Sequence, residues 1–349
     1  MTQSNLGINT LLVNAARELL TNGSDRYNER TGSKITEIRD YVMKGNPNYR
    51  YITLESRKNN LCATVVEMMM VLSGNPDLKY LSLFLPRAIE YSDDGGLTWR
   101  GNYGIRIRGN KAFEGEQNES YQFVAFESDE LKRVIECLSK DKSSRQEFIT
   151  VGFSQLDRNI VTKDTPCTMT LVFGIDSSNL VTLTTFMRSN DIIFGFSGVN
   201  YFIFTCLQEL VASCLNLDLG DYCHHPVSLH VYDNYYKNLV HISEEKPTEI
   251  RLINGLFSGI ESLDNFDTLA RNYFSLLENP GYSCHELSKL LYGDETKINN
   301  LRSLLVATYG YLHHKPKDEV YNVIRVTAND PDNIIKLLDR DIFFNKRCN

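Results

Sequence analysis

Two runs of β-branched and aromatic residues, Met169–Ile175 and Leu180–Phe186, flank the turn Asp176-Ser177-Ser178-Asn179, and a long apolar segment, Tyr201–Leu215, follows them. Runs of this type fill adjacent strands, and an apolar segment of helical length must be buried against them. This grouping predicts an α/β (α+β) fold with a large twisted mixed sheet and flanking helices. Phe148–Phe153 and Ser228–Tyr232 read as further strands. Asn9–Leu20 reads as an amphipathic helix stopped by Gly23, and Leu61–Leu72 as a more apolar helix closed by Ser73-Gly74-Asn75-Pro76.

The apolar helix carries one charge, Glu67, which lies either on an exposed stripe or inside the fold for a purpose. Ser92–Gly109 is rich in Gly and Asp and reads as turns around short strands, a place for a ligand-facing loop. There Arg106 and Arg108 alternate along a strand and, with Arg100, predict a solvated face. From about Thr248 the pattern becomes helical segments broken at Asn279-Pro280-Gly281 and Lys315-Pro316-Lys317. Residues 245–349 are therefore expected to be a mostly helical C-terminal extension of a main domain spanning 1–244.

Several function classes are excluded by bulk properties. With 42% hydrophobic and 23% charged residues, the 349-residue chain is globular rather than disordered. A net charge of -7 argues against binding polymeric nucleic acid, which needs a surplus of Lys and Arg, but leaves room for a small phosphorylated ligand. Met1–Asn5 has no leader pattern, and no apolar run approaches the roughly 20 residues of a membrane span, so a cytoplasmic protein without membrane contact is expected. Eight cysteines without a C-x-x-C pair read as reduced, mostly buried thiols rather than disulfides or a zinc site. Cys223-His224-His225 and His313-His314 resemble metal ligands by residue type alone, and no metal site is expected.

The most informative stretch runs from Pro166 to Tyr232. It holds Pro166-Cys167-Thr168, Met187-Arg188-Ser189-Asn190-Asp191, Gly195-Phe196-Ser197-Gly198-Val199-Asn200 and Ser228-Leu229-His230-Val231-Tyr232, in that order. The set resembles the thymidylate synthase superfamily, and its phage-type pyrimidine deoxynucleotide hydroxymethylases in particular. Upstream, Arg30-Thr31-Gly32 is similar to the family's phosphate loop, Glu67 to its helix glutamate, Asn102-Tyr103-Gly104 to its Tyr-Gly, and Ser143-Ser144-Arg145 to the Ser-Arg-Arg lent to a partner subunit, with Gln146 in place of the second Arg. The likeness covers about residues 25–240.

That resemblance implies residue roles. Cys167 would be the nucleophile, since carbon 6 of a pyrimidine must accept a reversible addition before carbon 5 reacts, and a thiolate suits that step. Arg188 would supply the positive charge that ionises it. Arg30, Arg188, Ser189 and, from a second subunit of a homodimer, Arg145 would hold the 5'-phosphate; His230 and Tyr232, on one face of a strand, would hold the sugar hydroxyl. Read singly, each of these residues is ordinary packing or solvated surface. Asp191 would bind the pterin of 5,10-methylenetetrahydrofolate, while Glu67 would move protons and Tyr103 would lie near pterin and base.

The partners implied are thus a pyrimidine nucleoside monophosphate and a folate. Ala88-Ile89-Glu90-Tyr91 stands where synthases carry Trp, and Lys346-Arg347-Cys348-Asn349 differs from their apolar tail, so water capture to a hydroxymethyl product is preferred over thymidylate formation with dihydrofolate release. Asn200 points to deoxyuridylate, although its loop is one residue longer than in relatives; deoxycytidylate and a ribonucleotide stay open. A catalytically silent nucleotide- or folate-binding paralogue is the alternative of another class.

Overall fold

The computed structural model describes residues 6–29, 32–99, 101–109, 128–154, 157, 162–292 and 299–348. Nine strands form in chain order: β1 (Ser24–Asn28), β2 (Ser33–Arg39), β3 (Met43–Gly45), β4 (Phe148–Thr150), β5 (Thr168–Ile175), β6 (Leu180–Met187), β7 (Asn190–Asp191), β8 (Asp218–Pro226) and β9 (Ser228–Tyr232). By hydrogen bonding they make two sheets, β1-β2-β9-β7 and β3-β8-β6-β5-β4, rather than one. The two are nevertheless continuous, because β2 runs on into β3, β6 into β7 and β8 into β9 after short breaks. Backbone bonds from Val227 N to Met187 O (2.8 Å) and from Asp40 N to Val227 O (2.9 Å) close the seam. The expected mixed sheet is present, kinked across its middle, with β5–β6 antiparallel and β6–β8 parallel.

One face of this sheet is covered by helices. Main-domain helices are α1 (Ile8–Asn22), α2 (Leu61–Ser73), α3 (Leu78–Ser82), α4 (Gly104–Arg108), α5 (Glu130–Lys140) and α6 (Tyr201–Leu215). Every residue of α2 is buried, Glu67 included; its start is capped by Asn60 and its end by Gly74, whose φ of 75° suits glycine. A π-helical segment, Ile192–Asn200, leads into α6 without a break. Its wider turns are a device often found at functional sites. The joined helix Ile192–Leu215 is long and apolar enough to cross a membrane, contrary to the sequence expectation, but the relevant window is 78% buried within the fold.

The stretch Ser92–Gly109 departs from its prediction. It contains an isolated bridge from Asp77 to Thr98 and then the helix α4, in which both arginines are buried. Arg106 pairs with Asp157 at 2.6 Å, and Arg108 with Asp129 at 3.0 Å and Asp267 at 2.7 Å. Five residues are too few to display helical periodicity, and the carboxylates that make burial tolerable come from distant sequence. Arg100 lies outside the described residues.

Beyond residue 245 the described chain is mostly helical, as expected, with breaks at the two proline turns. These helices share one hydrophobic core with the sheet and α2. The Arg108–Asp267 pair and the bond from Leu61 N to Asp341 Oδ2 (2.8 Å) fix them to the two ends of α2. All eight cysteines are outside disulfides, four buried and four half-buried, so fewer are fully buried than the sequence suggested.

Candidate functional site

The kink positions the site. Arg188 and Ser189 fall between β6 and β7, so neither is held in a strand ladder, while the adjacent β5 begins at Thr168 opposite Met187. Cys167 therefore opens β5 beside the break, half-buried, with its Sγ 4.0 Å from the Thr165 carbonyl. Arg188 is on the neighbouring strand end, as the sequence implied. Its backbone N–H donates to Cys167 O at 2.9 Å, and its guanidinium donates to Pro166 O at 3.0 Å and Thr165 O at 2.8 Å. The cation thus grips the loop that presents the thiol while remaining exposed on its outer side.

Tyr103 stands near the thiol, and Asp164 lies near both Tyr103 and Glu67. The Tyr103 phenol faces Cys167 and Thr168, and burial pushes its pKa well up; its ring stacks on Phe204 at 5.8 Å. Glu67 projects from the middle of α2 and is 7% exposed. Burial, reinforced by the negative charge of Asp164, pushes its pKa up to about 8. Asp164 accepts the indole N–H of Trp99 at 2.6 Å. Position 101 must be glycine for this approach, because a Cβ there would come within 1.8 Å of Asp164 Oδ2.

The second group lies on the other side of the break. Ser189 Oγ is 3.4 Å from His230 Nδ1, and the rings of His230 and Tyr232 meet edge-to-face at 5.1 Å, sharing one face of β9 as predicted. Asp191 pairs in register with His230. Its Oδ1 accepts from the N–H groups of Ile193 (2.9 Å) and Phe194, capping the π-helical segment, whereas Oδ2 is buried without a partner among the described residues. Burial raises the pKa of Asp191 despite those bonds and the nearby His230 and Arg57. Asn200 is buried behind this group, its Nδ2 donating to Asn190 Oδ1 at 3.1 Å.

Two predicted members are not brought into this cluster. Arg145 lies on the opposite, outer face of the sheet, lining an open cavity of about 660 Å³ with Val172, Thr182 and Thr184. That position is near the Ile175 end of β5, roughly 20 Å along the strand from Cys167. Arg30 lies outside the described residues.

Sequence reasoning missed three contributors. Arg57, in a short turn before α2, donates from Nε to Ser197 Oγ at 2.8 Å and sits beside Asp191, where burial lowers its pKa to about 10. The Asp164–Trp99 pair and the Asn190–His224 pair are the others. His224 had a readable signal: the alternation of β8 puts Tyr222, His224 and Pro226 on the buried face, away from Cys223 and His225. Among the described residues no group of three or more His, Cys, Asp or Glu is placed to hold a metal ion.

Comparison with known proteins places this geometry in context. The Thymidylate synthase family model matches residues 11–286. Curated relatives named deoxyuridylate hydroxymethyltransferase include one from Delftia phage PhiW-14, 32% identical over 197 residues, covering 53% of this chain and 50% of the relative. Those of Pseudomonas phage M6 and Bacillus phage SP01 are 27% and 32% identical, covering 57% and 58% of this chain and 52% of each relative. The chain spans about half the length of the curated relatives it matches.

Proposed function

The chain belongs to the thymidylate synthase family, and from that premise we propose that it is a transferase adding a one-carbon unit to carbon 5 of a pyrimidine nucleoside monophosphate, making hydroxymethyl-deoxyuridylate. The observation that carries the reading is Glu67. A carboxyl pushed up to about 8 inside an apolar helix weakens the fold and pairs with no cation among the described residues, whereas a proton donor and acceptor near neutral pH is what such a reaction needs. A silent binding module requires neither this group nor the Cys167 thiol.

In this reading Cys167 adds to carbon 6, and Arg188 holds both the loop that aims the thiol and, through its exposed side, the 5'-phosphate. Ser189 and Arg30 would add phosphate contacts, and His230 with Tyr232 would hold the sugar hydroxyl. Asn200 would read the base edge. Tyr103 would orient the base against the thiol, and Glu67 would shuttle protons at the ring and at the departing amine.

A folate fits beside these groups: the partnerless buried Oδ2 of Asp191 suits pterin N–H donors, and Arg57 adds a cation at the same rim. When bound, 5,10-methylenetetrahydrofolate supplies the one-carbon unit. Ile89 and Tyr91 are 47% and 54% exposed and leave the segment before the Tyr-Gly motif open, which supports water rather than hydride as the final acceptor.

Arg145 would reach the phosphate of a second copy. The outer sheet face around it carries exposed Val42, Phe148, Phe186 and Val227, an apolar surface suited to a homodimer. We also propose residues 1–244 as the catalytic unit, buttressed by 245–349.

The reading is tested by release of tritium from carbon 5 of labelled deoxyuridylate in the presence of the folate. Release that disappears in Cys167→Ser, with nucleotide binding retained, is the expected result; absence of release by the unaltered protein would overturn the assignment.

A further inference from the structure

Asn200 heads a continuous chain of buried side-chain hydrogen bonds that ends at Thr185, on the buried face of β6. Its Nδ2 donates to Asn190 Oδ1 (3.1 Å), Asn190 Nδ2 contacts His224 Nε2 (2.6 Å), His224 Nδ1 contacts Tyr222 OH (2.8 Å), and Tyr222 OH donates to Thr185 Oγ1 (3.2 Å). All five residues are buried, with His224, Tyr222 and Thr185 at 0% exposure. The path is built rather than incidental. A Cβ at Gly195 would fall 1.9 Å from Asn190 Oδ1, so only glycine leaves room for the Asn190–Asn200 pair under the π-helical turn.

The polarity of the chain follows from donor and acceptor chemistry. An amide nitrogen only donates, so Nε2 of His224 accepts and its single proton resides on Nδ1. That proton goes to Tyr222 OH, whose own hydrogen goes to Thr185. His224 stays neutral because burial lowers its pKa to about 3, with His225 adding to the effect. The second hydrogen of Asn190 Nδ2 points to Met187 S at 3.3 Å, so both its donors are used. No rotation of the Asn200 amide is then tolerated alone. Turning it would set its oxygen against Asn190 Oδ1, and relief would require Asn190 to turn and the His224 proton to move to Nε2.

We propose that Asn190, His224 and Tyr222 are positioning residues that lock the amide of Asn200 in the orientation for uracil and thereby exclude cytosine. In the locked orientation the second N–H of Asn200 has only a long contact to Met187 S (4.0 Å), which a base carbonyl would replace, and its Oδ1 is set for a ring N–H, the pattern of the uracil O4 and N3 edge. Neutral cytosine presents an amino donor and a bare ring nitrogen there, the reverse pattern. Base choice is therefore written in the tautomer of a histidine that need not touch the base. This inference rests on the proposed nucleotide site and on Asn200 as its base reader.

The test joins a measurement on the protein alone with one on nucleotide binding. Nitrogen-15 NMR of the ligand-free protein should show His224 neutral, protonated on Nδ1; a proton on Nε2 would overturn the proposal. Tyr222→Phe keeps the packing volume but removes the acceptor for Nδ1–H, so His224 should shift towards the Nε2 form. In parallel, the preference for deoxyuridylate over deoxycytidylate in equilibrium binding should fall by about tenfold, the effect of one buried hydrogen bond. An unchanged preference in a folded Tyr222→Phe or Asn190→Leu variant would refute the relay. Binding of neither nucleotide by the unaltered protein, with His224 protonated on Nδ1, would instead overturn the nucleotide reading and with it the role in base choice.

Discussion

Buried charges occur in two parts of the molecule and are treated differently in each. At the back of α2 and α6 they are paired with opposite charge: Arg108 gives its donors to Leu72 O, Asp129 and Asp267, and Arg50 bonds Pro47 O and Cys206 Sγ while pairing with Glu209 at 2.6 Å. At the kink they are left incomplete. Among the described residues no cation pairs with Glu67, and one oxygen of Asp191 has no partner. Charges held in ion pairs cross-link a fold, whereas those left out of one are available to something that binds.

The sharpest way to separate the two regions is to compare loss of function with loss of stability. Cys167→Ser should reduce turnover by at least about 10⁴-fold while leaving the unfolding free energy within about 1 kcal/mol, because a half-buried thiol at a strand end supports little packing. Kinetics and urea denaturation on the same sample check both halves. Arg108→Met should do the opposite, costing about 3–5 kcal/mol by stranding Asp129 and Asp267, and adding Asp267→Leu should recover part of the loss. A fully functional and equally stable Arg108→Met protein would erase the distinction.

Glu67→Gln should cost activity and add stability in one substitution. The folded carboxyl keeps its proton up to about 8, whereas the unfolded one releases it near 4.5. The folded state therefore binds more protons across that window, and its stability falls as pH rises through it. The variant, free of this penalty, should gain on the native protein by about 3 kcal/mol between pH 5 and pH 8, a difference measurable by denaturation at the two pH values. The smallest effect is expected at the outer sheet face. Arg145→Ala should raise the Michaelis constant for nucleotide about tenfold without altering the melting temperature; an unchanged constant would remove Arg145 from the phosphate site.

The sequence made some of this legible and hid the rest for physical reasons. The β5–β6 hairpin and α6 were readable because long apolar runs and a turn cluster leave little choice, and the residues carrying the family resemblance led to Cys167, Glu67 and Asp191. The kink of the sheet was hidden because a register break has no composition signal; it shows only where the β5–β6 register ends at Met187, leaving Arg188 and Ser189 between β6 and β7. Buried Arg106 and Arg108 were misread as a solvated face since their carboxylates are as distant as Asp157 and Asp267. The relay from Asn200 to Thr185 was hidden for a similar reason: it crosses the π-helical turn and three strands, and no spacing rule links its members.

On the proposed reading, Cys167 and Glu67 carry out one-carbon transfer to a pyrimidine, with water as the last acceptor. Purified protein incubated with deoxyuridylate or deoxycytidylate and 5,10-methylenetetrahydrofolate, followed by nucleotide mass and dihydrofolate absorbance together, tests it most directly. The account predicts deoxyuridylate heavier by a hydroxymethyl group and no dihydrofolate. A methyl product with stoichiometric dihydrofolate would contradict the water step, and no product from either nucleotide would contradict the assignment of the site as an enzyme acting on them.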